Sequence, residues 1–228
     1  KITIPSGVTV TATAANAQPL ASIIDVESGG ILNISSYNNS GDLDFFGHAG
    51  TINVTVSGGT FVSTQLDEVD KIIIPSGVSL TQTATNILAV GVNKFSVSTS
   101  GTLNITGYND SGDLDFSGHD GTINVTISGG ALVNTNFNEV DKIIVPSSVT
   151  ATATAANAQP LASKIDVESG GILNISGYNN NGDLDLSGHA GTINVTISSG
   201  ALVNTNLDEV NKITIPSGVT VTATAANA

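Results

Sequence analysis

The 228-residue chain has no cysteine, methionine, tryptophan or arginine. Without cysteine there are no disulfide staples and no thiol chemistry. Six lysines against nineteen acidic residues leave a formal net charge of −13. A surface so charged repels nucleic-acid phosphates and anionic lipid, so no nucleic-acid partner is expected. Aromatic residues make up only 4% of the chain, so any core must be built from small aliphatic side chains. No apolar run approaches the 18 or so residues of a spanning helix, so no membrane insertion is expected. Long stretches of 3.6-residue periodicity are also missing, which argues against helical repeats.

What is present is repetition. Lys1–Asp70, Lys71–Asp141 and Lys142–Asn211 align almost letter for letter, and Lys212–Ala228 repeats Lys1–Ala17 as KITIPSGVTVTATAANA. Repetition at a fixed period decides architecture before any motif does, and it argues against a single active site. Inside each repeat a smaller phrase recurs three times. In the third these are KIIVPSSVTATATA from Lys142, KIDVESGGILNIS from Lys164 and TINVTISSGALVNT from Thr192. Each is a short alternating strand, a Pro/Ser/Gly corner, and a second alternating strand. Alternation places Ile24, Val26, Leu32 and Ile34 on one side and Asp25, Glu27 and Asn33 on the other.

The first repeat divides into Lys1–Ser22, Ile23–Gly50 and Thr51–Asp70, each the length of one coil of a parallel β-solenoid. The expected fold is all-β: a parallel β-solenoid, a right-handed β-helix by the general handedness of parallel crossovers, with about three coils per 70-residue repeat. Residues 1–228 are read as one continuous solenoid, with repeats 1–70, 71–141 and 142–211 and a partial repeat 212–228. A string of β-sandwiches does not require three similar phrases per repeat. Ala14–Ala17 and Thr222–Ala228 read as ordinary repeat sequence rather than terminal caps, so the stretch is expected to be a window of a longer chain.

The most decorated segments are Tyr37–Gly50, Tyr108–Gly121 and Tyr178–Gly191. Asp42 and Asp44, Asp113 and Asp115, and Asp183 and Asp185 alternate with apolar neighbours, which points both carboxylates outward, about 7 Å apart along a strand. With oxygens of Asn38 and Asn39, such a pair suits calcium. The spacing matches no recognised calcium loop, and a solvated acidic turn needs no ligand. Calcium is the only cofactor the sequence brings into question. Paired carboxylates also suggest glycoside hydrolysis, but they recur with unchanged neighbours and no catalytic residue is expected. His48, His119 and His189 sit in Gly-His-x-Gly turns, as polar corner residues or, less simply, as ligands or pH sensors. Tyr37, Tyr108 and Tyr178 either pack the loop against the coil or stack on a sugar. Sequons at Asn33, Asn53, Asn104, Asn124, Asn174 and Asn194 put outward amides on strands, open to glycosylation or to ladder formation. The Thr9, Thr11 and Thr13 row resembles ice-binding rows but lacks the same row on neighbouring coils. Asn86–Ser100 departs from the repeat, bringing Lys94 and Phe95, while keeping the strand pattern.

The Ser-Gly-Gly-Ile-Leu-Asn-Ile phrases at Ser28–Ile34 and Ser169–Ile175 resemble coils of bacterial autotransporter passengers and filamentous-haemagglutinin-like adhesins. That resemblance implies a secreted β-helix at a cell surface, which displays or spaces a binding region. The expected function is therefore structural and non-enzymatic: the shaft of an extracellular surface adhesin or filament. Self-association end to end or side by side is expected, with a surface glycan or host cell as a further partner. The alternative is a repeat binding module for calcium, carbohydrate or ice.

Overall fold

The computed structural model describes the chain except residues 39, 40, 46, 111, 180, 181, 187, 204, 205 and 225–228. Short strands dominate. The first repeat carries β1 (Ile2–Ile4), β2 (Thr9–Thr13), β3 (Ile24–Val26), β4 (Ile31–Tyr37) and β5 (Thr51–Val56). The second carries β6 (Lys71–Ile74), β7 (Ser79–Thr83), β8 (Phe95–Val97), β9 (Thr102–Tyr108), β10 (Thr122–Ile127) and β11 (Ala131–Leu132). The third carries β12 (Lys142–Val145), β13 (Thr150–Thr154), β14 (Ile165–Val167), β15 (Ile172–Tyr178), β16 (Thr192–Ile197) and β17 (Ala201–Leu202). The partial repeat adds β18 (Lys212–Thr214) and β19 (Thr222–Ala223). The all-β class expected from the alternating phrases is met, and the sheets are parallel.

The chain forms two compact units. One comprises Lys1–Ile105 with Asp115–Ile123, the other Thr106–Leu114 with Asn124–Ala228. In the first unit β1 pairs with β3, and a five-stranded sheet runs in the order β2-β4-β5-β6-β8. Thr9 faces Ile31, Ile31 faces Thr51, Asn53 faces Lys71 and Ile72 faces Phe95, so the chain returns after 22, 20, 18 and 23 residues. The second unit repeats the arrangement in the order β11-β13-β15-β16-β18. There Thr150 faces Ile172, Ile172 faces Thr192 and Asn194 faces Lys212.

Phrase does not simply stack on phrase. The first two do: β1 lies beside β3 and β2 beside β4. The third does not, because β5 lies beside β4 rather than β3. The reason is spacing. From Ile24 to Thr51 is too far for one return, and the end of the intervening loop covers β3 instead. Ala49 and Gly50 both donate their N–H to the Val26 carbonyl, at 2.8 Å each. Gly50 is required there, since a Cβ would lie 2.5 Å from the Glu27 carbonyl oxygen. Each of these sheets consequently begins with second-half strands of the phrases and ends with first-half strands, the last of them from the following repeat.

Most inward strand positions are aliphatic and closed to solvent, including Leu32, Ile34, Ile52, Val54, Ile72 and Ile74 in one unit and Ile143, Leu173, Ile175, Ile193 and Val195 in the other. Between strands the chain makes short helices that alternation does not reveal: α1 (Ala14–Ala17), α2 (Ala84–Val90) and α3 (Ala155–Leu161). Threonine caps the longer two, Thr83 Oγ1 accepting from Asn86 N–H and Thr154 Oγ1 from Asn157 N–H. The departure at Asn86–Ser100 is a packing change. Phe95 stacks on Phe61 at 6.1 Å between ring centroids, and Asn86 Nδ2 donates to the Phe61 carbonyl at 2.9 Å. One repeat further on, Leu132 stands at the position of Phe61 and Ile165 at that of Phe95, so the aromatic pair replaces an aliphatic one.

Leu173 is fully enclosed, so Leu173→Ala is expected to cost about 2–5 kcal/mol, read from chemical denaturation of the whole chain. An outward change on the same strand, Ile172→Thr, is expected to stay within about 1 kcal/mol.

Candidate functional site

The decorated segment begins with a kink. Alternation along β4 would turn Ser36 inward and Tyr37 outward. Instead the register shifts between Ile34 and Tyr37, and likewise between Ile175 and Tyr178. Residue 36 and its counterparts take left-handed backbone: Ser36 at φ 61°, Gly107 at 73° and Gly177 at 74°. This bulge turns the tyrosine into the core. Tyr37, Tyr108 and Tyr178 are all about 1% exposed or less, so packing is their role and no ring face is open to a sugar. Each hydroxyl donates to a loop carbonyl: Tyr37 to Gly41 at 2.9 Å, Tyr108 to Gly112 at 2.7 Å, Tyr178 to Gly182 at 2.9 Å. Burial, with a smaller contribution from Asp42, pushes the Tyr37 phenol up to about 12. Tyr108 and Tyr178 are raised by burial too.

Beyond the kink, Leu43 and Phe45, Leu114 and Phe116, and Leu184 and Leu186 point inward, while all six aspartates, Asp42, Asp44, Asp113, Asp115, Asp183 and Asp185, are exposed. The alternation is as read, but the segment is not a strand. It is tied instead to the next corner through Leu43 N–H to the Gln65 carbonyl at 3.2 Å and Leu184 N–H to the Asn206 carbonyl at 3.1 Å. Asn39 lies outside the described residues. Among the described residues, no group of three or more His, Asp or Glu side chains converges as a metal site would. Partial desolvation, then repulsion from Asp44 and Asp67, raises Asp42 from its ordinary value.

A glutamate that the spacing arguments overlooked holds this loop. Leu186 N–H donates to Glu209 Oε2 at 2.6 Å, and Glu68 accepts from the Phe45 backbone in the same way. The other Glu68 oxygen, Oε2, is buried without a hydrogen-bond partner. Desolvation, with Asp44 and Asp67 adding to it, raises Glu68. The signal was in the sequence: Glu-Val recurs at 68–69, 139–140 and 209–210.

The histidines are half-buried corner residues. Nδ1 of His48 donates to the Phe45 carbonyl at 3.2 Å, that of His119 to Gly121 at 3.0 Å and that of His189 to Leu186 at 2.6 Å. His48 Nε2 also lies 3.4 Å from Asp70 Oδ2, an oxygen that accepts Ile52 N–H at 2.7 Å. Asn211 replaces that aspartate in the third repeat and accepts Ile193 N–H at 2.6 Å.

The sequon asparagines are half-buried. Asn53 Nδ2 donates to Asn33 Oδ1, and Asn194 Nδ2 to Asn174 Oδ1, both at 2.9 Å; Asn104 Nδ2 donates to Ser79 Oγ at 3.0 Å. Asn33 and Asn53 sit directly opposite each other in the ladder. Thr9, Thr11 and Thr13 are not matched by threonines on β4, where Ile31, Asn33 and Ser35 stand opposite.

The chain matches no protein-family model, and no curated protein or solved structure is significantly similar to it. No helix among the described residues is long and apolar enough to cross a membrane.

Removing the hydroxyl in Tyr178→Phe is expected to cost about 0.5–1.5 kcal/mol. Because the phenols are raised in the folded state, their contribution is complete below the unfolded tyrosine value of about 10 and declines above it. Thermal melts stepped into alkali should fall more steeply for the natural chain than for the triple Tyr→Phe variant. Glu68 has the same sign at lower pH: raised when folded, its ionised form is disfavoured in the fold relative to its protonated form, and that penalty is relieved as it protonates. Glu68→Gln should therefore raise the melting temperature at pH 7, with the gain shrinking in acid.

Proposed function

We propose that the chain is a structural, non-enzymatic repeat segment: part of the shaft of an extracellular surface adhesin or filament, built as a right-handed parallel β-solenoid. The observation that carries this reading is the reuse of one register. Asn53 to Lys71, Asn124 to Lys142 and Asn194 to Lys212 are the same pairing in successive repeats. A sequence that keeps its inward apolar residues and its pairing register through successive repeats is suited to stacking. The mechanism is mechanical. Backbone ladders and aliphatic stacks resist extension, and an acidic, polar exterior keeps neighbouring edges from pairing at random. Self-association and surface glycan or host-cell contact belong to the same proposal.

The committed amides at Asn53, Asn104 and Asn194 favour ladder formation over glycosylation as the reason for the Asn-x-Thr/Ser phrases. Electron microscopy of the native material tests the proposal. Fibres or thin surface stalks, with an axial period of about 14 Å for three strand spacings of about 4.8 Å, are expected. Isolated compact particles from the native source would sink it.

A further inference from the structure

Each unit contains a polar cleft at the same place in its repeat. The first, of about 380 Å³, is lined by Lys1, Ser22, Ile23, Asp25 and Gly47. The second, of about 340 Å³, is lined by Lys142, Asp166, Asp141, Lys164, Ser163 and Gly188. Both are assembled from equivalent parts. A lysine opens the repeat's first strand, an aspartate stands on the neighbouring strand, a serine ends the corner before it, and the glycine of the Gly-His turn forms the opposite wall. Register places the charged pair: Thr3 faces Asp25 and Ile144 faces Asp166. Nζ to Oδ2 is 2.7 Å in both.

The side chains lining each cleft are charge-balanced in a chain of net charge −13. Lys1 pairs with Asp25 and Lys142 with Asp166, and Lys164 and Asp141 line the second cleft with one charge of each sign. Lys164 is itself engaged, donating to the Asn138 carbonyl at 2.9 Å. An ammonium carries three donors and a carboxylate about four acceptor sites, so one 2.7 Å contact leaves capacity on both groups. A free anion meets the aspartate and a free cation meets the lysine. A hydroxyl pair satisfies both, one oxygen accepting from the lysine while its neighbour donates to the aspartate. The volumes fall at the small end of ligand pockets, enough for one sugar ring. The middle repeat breaks the set: Ser96 occupies the position of Asp25 and Asp166, opposite Ile73.

We propose that these two clefts bind neutral polyhydroxyl ligands, one pyranose ring of an uncharged glycan in each. The proposal gives a place to the glycan contact named above, but it stands or falls apart from the shaft itself, since a shaft with or without sugar sites has the same ladders. The test is an amide-resolved NMR titration of the full chain with methyl glucoside, methyl galactoside and methyl mannoside, with glucuronic acid and glucosamine as charged controls. At least one neutral glycoside is expected to shift the Ser22 and Ser163 amides in the millimolar range. Asp25→Asn should weaken the Ser22 response by about tenfold or more and leave the Ser163 response intact, and Asp166→Asn should do the reverse. Lys142→Gln provides a second variant at the same cleft, and circular dichroism confirms the fold of each. Three results overturn the proposal: no neutral glycoside shifts either serine at tens of millimolar, the shifts survive the substitutions, or only a charged control binds.

Discussion

Everything in this molecule depends on the chain returning to the same line. A parallel strand has no neighbour until the backbone has gone round, and each return here takes 18 to 23 residues. The return supplies the ladder partner and closes the aliphatic stack at once, so a strand that misses its column loses both. This is why most inward positions stay apolar and the corners keep their Pro/Ser/Gly phrases from repeat to repeat. It also explains the short helices and the kinked tyrosine segment, which take up chain length so that the next strand arrives in register.

The tyrosine segment shows how length and packing are reconciled. The return that contains it, Ile31 to Thr51, takes 20 residues, and the chain leaves the sheet within it at a left-handed residue. Its end covers β3 through two N–H groups on one carbonyl. The tyrosine hydroxyl, the glutamate of the Glu-Val pair and the histidine Nδ1 each hold a backbone group of this loop. The acidic residues that made the segment look like a ligand site are arranged around that framework. The recurring Lys–Asp cleft lies at its edge, where the Gly-His turn overhangs the first strand of the phrase.

Much of this was legible beforehand. Period-two alternation identified the inward residues, including Leu43 and Phe45 in a segment that is not a strand, because solvent exclusion acts on side chains whether or not the backbone is paired. The Pro/Ser/Gly corners were legible from backbone conformation. The bulge was not, since Ser36 carries no mark of a positive φ, although Gly107 and Gly177 at the same position do. The helices were not, because four to seven residues are too few for helical periodicity to register.

Amino-acid order alone settled the all-β class, the repeat boundaries, the aliphatic core and the acidic exterior, because each follows from local periodicity or from counting. It could not settle which phrase lies on which. That depends on the distance round the chain, to which corners, loops and helices all contribute. Only the folded molecule shows β5 crossing to the β4 column, and only there do Phe61 and Phe95, or a lysine and an aspartate more than twenty residues apart, become neighbours. Contacts of that kind belong to the register, and register is a property of the assembled sheet.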